Sequence, residues 1–428
     1  MTQKIQIILL TLLLTLLNTI VFSQDLLQGN LIKGKYEVGF KRVILIDSSR
    51  SNTHVKSEDN RPVIVNIWYP AKTNNSEKVK FDRYINFDDD KIHKTLAKKL
   101  NQFNRKMVRI CGFDKRRNIL NINERAAYKK LLSLETMAVE NAPAIEGEVF
   151  PLIVNHPGAG GPVVDNHVFF EHLASYGYVV CNAVYQAGPE NEIYVGWNLE
   201  ASIPDMDIII ETARQENYVS QDILGLMGHS VGGDLCLAYV SKGKYKPNAI
   251  ITLDINFGYC EDYLGEGNVT ELLNLFWAHL EKYNVPMLNT ASLVHFPVLD
   301  SLIYCPRTYI EISKQKHEQF TSLGIIGRRL ETIKEENKGT FKIAEENFES
   351  LVNYCRNYLD FHLKGKKSDH TELPTESFKI SHLKTGENPT SGGKIYNEID
   401  IAILERYEGI YSSTQGKKVY TSKVYVDN

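Results

Sequence analysis

Ile223-Leu224-Gly225-Leu226-Met227-Gly228-His229-Ser230-Val231-Gly232-Gly233-Asp234-Leu235-Cys236-Leu237-Ala238-Tyr239-Val240 is the stretch that decides how this chain folds. Its first five residues are a short apolar run, which reads as a buried strand. Gly233 to Val240 reads as a helix. Between them, Gly228-His229-Ser230-Val231-Gly232 fits the G-x-S-x-G pattern of a nucleophile elbow, whose context is strand, sharp turn, helix. So tight a turn brings backbone against Gly228 and Gly232, where glycine tolerates dihedrals other residues avoid. Ser230 is then held at the strand tip with its hydroxyl exposed. The following helix aims its N-terminal N–H groups at the same point and favours negative charge there.

Working outward, the strand–helix alternation continues on both sides. Phe150 to Asn155 reads as a strand, His156 to Pro162 as a glycine-rich loop, Val163 to Tyr176 as a helix and Tyr178 to Ala183 as a strand. Ile203 to Glu216 is an expected helix before the elbow strand. After the elbow helix come strands at Asn248 to Leu253, Val285 to Thr290 and Arg307 to Ile312, and a long closing helix at Phe341 to Leu363. Such alternation predicts a mostly parallel sheet with helices on both faces. Two opening strands, Tyr36 to Ile46 and Pro62 to Tyr69, precede it, joined by a polar loop.

Two segments interrupt the pattern. Asn74 to Glu146 carries Ile92, Leu96, Leu100, Phe103, Met107 and Ile110 at helical spacing, with Lys94, Lys98, Lys99, Arg105, Lys106 and Arg109 opposite. A lid or a surface-seeking helix has this form; a helix packed on the domain with a solvated basic face is the preferred reading. Gly258 to Asn284 is a second insertion with a helix. Beyond Gly365, Lys366 to Gly393 is polar and reads as a linker or poorly ordered tail, and Ile399 to Val426 regains strand character.

Composition bounds the chemistry. The 428 residues suffice for one large α/β domain with an appendage, or for two domains. A hydrophobic content of 43% and a charged content of 24% are ordinary for a globular protein. The net charge of −3 offers no strongly basic domain to meet phosphates, so nucleic acid is not expected as a partner. Residues 1–23 read as a secretory signal peptide: Lys4, the apolar run Ile5 to Val21, and Val21-Phe22-Ser23 at a cleavage site before Gln24. The rival is an uncleaved anchor, but Thr11, Thr15, Asn18 and Thr19 dilute the run. The expected location is therefore secreted or periplasmic. The six cysteines are widely spaced and form no C-x-x-C. Cys181 and Cys236 read as inert core thiols, and a Cys260–Cys305 bridge is an open pairing.

A serine hydroxyl needs a base, and the base needs an orienting group. In nucleophile-elbow enzymes the chain order is serine, acid, histidine. Asp254 follows the apolar strand Ala249-Ile250-Ile251-Thr252-Leu253, where a carboxylate is costly to bury without a partner. It is preferred as the acid over Asp300. His317 follows the last strand and is the expected base; His295 precedes that strand, and His362 falls in the closing helix. The oxyanion hole needs two backbone donors. Val231 N–H is one, and Gly158 or Ala159 is the other; Pro157 has no N–H to give. The loop is not G-x-G-x-x-G, which argues against a dinucleotide site. His167, Glu171 and His172 miss both the H-E-x-x-H and H-x-x-E-H spacings of metallohydrolases.

The residues that carry a family resemblance are Tyr36-Glu37-Val38-Gly39-Phe40, Arg61-Pro62 through Trp68-Tyr69-Pro70-Ala71, and Phe150-Pro151-Leu152-Ile153-Val154 running into His156. The Gly228 to Gly233 elbow, Leu253-Asp254, and His317 three before Phe320 complete them. Over about Tyr36 to Gly365 the chain resembles the α/β-hydrolase superfamily, and within it the platelet-activating-factor acetylhydrolase and dienelactone-hydrolase-like bacterial esterases. The resemblance implies an α/β-hydrolase fold with helical insertions at about 74–146 and 258–284, in a domain spanning 24–365. It implies a Ser230–Asp254–His317 triad with the acid one strand earlier than in most α/β-hydrolases. The family's usual His-Gly is His156-Pro157 here. Leu404 to Tyr411 looks like the start of a small β extension, so 366–428 is expected to be a linker with a short C-terminal extension.

The expectation is a serine hydrolase cleaving small-molecule or lipid carboxylic esters as a monomer, without metal or organic cofactor. Contact with a membrane surface is not predicted. A binding protein on a hydrolase scaffold, or a serine peptidase or amidase, is the alternative. The helix Thr270 to Lys282 is a candidate cover for an acyl pocket. Hydrolysis through a neutral imidazole should slow as pH drops through about 6 to 7.

Overall fold

Arg61–Ala71 is buried at all 11 of its positions, and a strand covered on both faces needs a layer on each side. A computed structural model of the chain describes residues 26–51, 60–72, 76–88, 90–113, 120–162, 164–186, 197–255, 271, 274–276, 278–292, 299, 302–330, 338–367, 376–386, 409–415 and 418–424. In it, β1 (Glu37–Asp47) pairs antiparallel with β2 (Arg61–Ala71). The chain continues through β3 (Lys78–Lys80), β4 (Glu135–Glu140), β5 (Phe150–His156), β6 (Val179–Ala183), β7 (Val219–His229), β8 (Ala249–Leu253), β9 (Met287–Ala291), β10 (Arg307–Ile312) and β11 (Phe378–Leu383). Among the described residues these form one 11-stranded sheet in the order β11-β10-β9-β8-β7-β5-β6-β2-β1-β4-β3.

From β6 through β5, β7, β8 and β9 to β10 every pairing is parallel. The period of two along each strand divides the core. Trp68, Ile153, Met227 and Ile251 join one apolar layer with helices His167–Ser175 and Lys338–Lys364. Ile67, Leu152, Leu226 and Ile250 join the other with helices Leu199–Ala213 and Val231–Lys242. Catalytic loops in such a sheet emerge at the carboxyl ends of the parallel strands.

Several sequence expectations are corrected. The segment 74–146 does not simply interrupt the sheet: β3 and β4 extend it past β1, with Val38 opposite Ala138. Its amphipathic helix spans Lys94–Phe113 and packs Leu96, Leu100, Val108 and Phe113 inward, while Lys94, Lys98 and Lys106 stay exposed. A further helix, Ile122–Ser133, starts at a capping box in which Asn121 and Glu124 satisfy each other's backbone N–H groups. The polar stretch after Gly365 is not all linker. β11 closes the sheet antiparallel to β10, so the main sheet runs past residue 365.

Helix Leu199–Ala213 begins earlier than expected because the Asn198 side chain accepts Ala201 N–H at 2.9 Å, and Pro204 is carried inside it. Helix His167–Ser175 begins later, since turns closed by Gly161 N–H to Gly158 O and Asp165 N–H to Pro162 O occupy the preceding residues.

Cys181 and Cys236 are buried free thiols, as expected, and Cys305 is also free and buried, so it makes no bridge. Gly409–Gln415 and Lys418–Val424 pair as a separate antiparallel hairpin. The expected signal peptide, Cys260, His295, Asp300 and most of the 258–284 insertion lie outside the described residues. Among the described residues no helix is long and apolar enough to cross a membrane.

Candidate active site

Ser230 sits between β7 and helix Val231–Lys242 with φ 54° and ψ −133°, a backbone conformation rare for a residue with a side chain. Holding it there costs roughly 1–3 kcal/mol, which the surrounding packing must offset. The two motif glycines show why the turn admits nothing larger. A Cβ on Gly228 would lie 2.4 Å from Gly232 backbone, and one on Gly232 would lie 2.0 Å from His156 O. Ser230 N–H donates to Leu253 O at 2.9 Å, so the elbow is tied to the end of β8.

Asp254 follows directly after the end of β8. Its own backbone is turned to φ 48°, and its N–H donates to Thr290 O at 2.7 Å. The side chain is fully buried. Oδ2 accepts His317 Nδ1–H at 2.6 Å, and Oδ1 accepts Ser292 N–H at 2.9 Å and Ser292 Oγ–H at 3.3 Å. Burial alone would raise its pKa. The hydrogen bond and charge of His317, with Ser292 N–H, outweigh burial and hold the carboxyl below the usual carboxylate range.

His317 opens the 3-10 turn His317–Phe320 just after β10. With Nδ1–H committed to Asp254, the neutral ring leaves Nε2 as a base. His229, the residue before the serine, packs its ring on His317 with centroids 4.5 Å apart and donates Nε2–H to His317 O at 3.1 Å. Burial, with His317 beside it, pushes His229 down to about 3, so it stays neutral and acts as a backbone anchor.

Ser230, His317, His229, Gly158 and Ala159 line one cavity of about 230 Å³. No hydrogen bond joins Ser230 Oγ to His317 among the described residues; contacts of this kind are often loose without substrate. Val231 heads its helix with its N–H toward the elbow turn. Gly158 and Ala159 both line the cavity with Ser230, Gly158 buried and Ala159 exposed. A Cβ on Gly158 would lie 3.2 Å from Ser230 Cβ, so this loop lies directly against Ser230. Behind it, His156 donates Nδ1–H to Pro157 O at 2.9 Å, accepts Ser202 Oγ–H at 3.0 Å and stacks on Tyr185. Burial pushes His156 down to about 4, which keeps this brace neutral.

Sequence reasoning missed several cavity residues. Met107, Ile110 and Cys111, on helix Lys94–Phe113, wall the cavity, and Asp165, Glu318 and Thr321 complete its rim. The apolar spacing around Met107 was visible, but spacing does not separate a core face from a cavity wall. Of the competing candidates, His362 is engaged with Tyr358 and Phe361 in the closing helix. Glu171 is spent on Tyr84 OH at 2.6 Å, Gln28 at 2.7 Å and Met137 N–H at 3.0 Å. His167 Nδ1–H donates to Val164 O at 3.1 Å, and no group of three metal-ligating side chains converges among the described residues.

No protein-family model and no curated protein sequence matches the chain. Among solved structures it is similar to a ferulic acid esterase from Streptomyces cinnamoneus, with 18% identity and a TM-score of 0.52 over 82% of this chain and 97% of that one. At that identity the likeness is one of fold. With the mostly parallel sheet and flanking helices, it makes this an α/β-hydrolase fold.

Proposed function

We propose that this chain is a serine hydrolase of carboxylic esters, with Ser230 as nucleophile, His317 as general base and acid, and Asp254 as the group that orients His317. Ser230 Oγ attacks the ester carbonyl and passes its proton to His317 Nε2. The oxyanion accepts the N–H of Val231 and that of Gly158 or Ala159, two residues that line the cavity with Ser230. Collapse expels the alcohol, which takes the proton from His317, and leaves an acyl-enzyme. Water, activated by His317, then adds to the acyl carbon and releases the acid and Ser230.

The observation that carries this reading is the 2.6 Å bond from His317 Nδ1–H to a fully buried Asp254, facing the cavity that the strained Ser230 lines. A buried carboxylate committed to an imidazole at the mouth of a cavity has a ready account in acyl transfer. The fold shared with a ferulic acid esterase supports an ester as the substrate class. The acid on the strand directly after the elbow strand supports the narrower likeness to acetylhydrolase and dienelactone-hydrolase-like esterases. The apolar leader supports export to the periplasm or medium.

Covalent labelling tests the reading: a fluorophosphonate should attach to Ser230 and abolish ester hydrolysis in proportion. Hydrolysis that persists on fully labelled protein would sink it.

A further inference from the structure

The net charge of −3 conceals a division along the chain. Of its 49 lysines and arginines, 13 fall in residues 91–133, where only Asp114 and Glu124 of its 52 acidic residues accompany them. Elsewhere acids outnumber cations, 50 to 36. The fold gathers these cations on the outer face of two helices, Lys94–Phe113 and Ile122–Ser133. On the first, Lys94, Lys98 and Lys106 are exposed, and Arg105 and Arg109 are half-buried. On the second, Arg125, Lys129 and Lys130 are exposed, and Glu124 is buried in its capping box. The helices join at Tyr128, which meets Phe113 edge-on at 6.2 Å and holds the Arg109 guanidinium over its ring at 6.0 Å. Of these cations only Arg105 forms an ion pair among the described residues, with Asp82 at 3.5 Å.

A row of like charges is unfavourable for the helix that carries it. Lys94 and Lys98, and Arg105 and Arg109, repel across one turn. The first turn, whose N–H groups favour acids, holds none and carries Lys94. Packing does not ask for this pattern, since Leu96, Leu100, Val108 and Phe113 make the inward contacts. Solubility asks for charge, not for one sign of it. The pattern suits binding to negative charge.

Geometry narrows the ligand. From Lys94 to Arg109 the row is about 22 Å long at a rise of about 1.5 Å per residue, which fits a linear polyanion better than one small anion. A helix lying in a bilayer turns an apolar face to the lipid; here the large apolar side chain exposed on either helix is Ile122, 82% exposed. Neither helix exposes a Phe, Tyr or Trp ring among the described residues on which a nucleic-acid base would stack.

The same helix walls the cavity. Lys106 lies one turn before Ile110, which lines the cavity with Met107, Cys111 and Ser230, so a polyanion on the row passes beside it. The lining is of opposite character. It holds no lysine or arginine among the described residues, and Glu318 stands on its rim. Anionic groups are therefore held outside on the helix, while an uncharged ester enters. Polysaccharides with uronic acid units carry both groups, carboxylates along the chain and acyl esters on their hydroxyls.

We propose that the outer face of Lys94–Phe113 and Ile122–Ser133 docks a linear anionic polysaccharide, and that Ser230 removes acyl groups esterified to its hydroxyls. The polymer hydroxyl is the alcohol that leaves with the proton from His317, and water then releases the acid. The proposal rests on the ester-hydrolase reading of Ser230.

For the test, the acyl group that the protein removes fastest from 4-nitrophenyl esters is placed on polygalacturonate and on dextran at equal density. For the native protein at low salt, kcat/KM on the polygalacturonate ester should exceed that on the dextran ester by about tenfold or more, and roughly 0.5 M salt should abolish the difference. Lys94→Glu/Lys98→Glu/Lys129→Glu changes exposed side chains that do not line the cavity. It should remove the preference for polygalacturonate and leave the 4-nitrophenyl ester rate unchanged. Equal kcat/KM on the two polymers, cleavage of neither, or a preference that survives in the variant overturns the docking proposal and leaves ester hydrolysis standing. Sedimentation with phosphatidylglycerol vesicles that is tighter than binding to polygalacturonate overturns it in favour of a bilayer. The native ratio and its salt dependence decide the matter if the variant does not fold. Hydrolysis of no 4-nitrophenyl ester, whether or not a fluorophosphonate labels Ser230, overturns the ester reading and this proposal with it.

Discussion

In the proposed reaction Asp254 is the residue on which the chemistry turns, because it must stay ionised while fully buried. Three donors from His317 and Ser292 achieve that. Replacing it with asparagine keeps the shape but offers His317 an amide in place of a charge, which favours the wrong tautomer. We expect Asp254→Asn to lower kcat for a simple ester by roughly 10³–10⁴-fold with little change in KM. A loss of less than tenfold would remove Asp254 from the role. The meeting of His317 with Asp254, and of His317 with Ser230 at one cavity, was legible, because a motif and a chain-order rule fix where such residues fall along strands. The roles of His229 and His156 were not. Each depends on a partner distant in sequence, and a lone histidine gives no sign of which backbone group it will meet.

At the scale of elements, long buried strands and helices were legible and edge elements were not. β10 runs over Arg307–Ile312, the span its apolar pattern marks. β4 and β11 are as long as β10, but β11 pairs with β10 alone, β4 lies between β1 and the three-residue β3, and burial in both alternates only in part. Tertiary contact, more than local pattern, makes such segments strands. The helix Ile122–Ser133 did carry a local signal, Asn121 three residues before Glu124. The helix Lys94–Phe113 was visible as amphipathic; its use was not. It packs on the domain, as the preferred reading held, and it also walls the cavity through Met107, Ile110 and Cys111. If this wall limits the acyl chain, Met107→Ala should raise the rate on a 4-nitrophenyl octanoate relative to the acetate several-fold. An unchanged ratio would place the acyl chain elsewhere. Of the Thr270 to Lys282 segment, expected to cover the pocket, residues 271, 274–276 and 278–282 are described, and none of them lines the cavity.

Across the whole molecule, buried ionisable groups set the response to acid. Burial pushes His156 and His167 down to about 4, and His172 and His229 down to about 3. All four are neutral in the folded protein, while in the unfolded chain histidine takes up a proton near pH 6.5. The unfolded state therefore binds more protons below that pH. Their contribution is intact above about 6.5 and is lost as pH falls toward the folded values. Asp165, pushed up to about 7, works the other way, being most favourable in acid and losing its contribution as pH rises from about 4 through 7. Four histidines outweigh one aspartate, so urea unfolding at pH 5 should give a free energy roughly 5 kcal/mol lower than at pH 7. Equal stability at the two values would mean that these histidines are not buried as described. Fold class and sheet alternation were readable from strand–helix period and the elbow. The cavity's shape and charge were not, because they arise where residues from Lys94–Phe113, the oxyanion loop and the His317 turn meet.

The central claim is an activated Ser230, and intact-mass analysis after fluorophosphonate treatment tests it most directly. Folded native protein should gain the mass of one adduct, and Ser230→Ala should gain none. An unmodified native protein, or an adduct that survives in Ser230→Ala, would contradict the account.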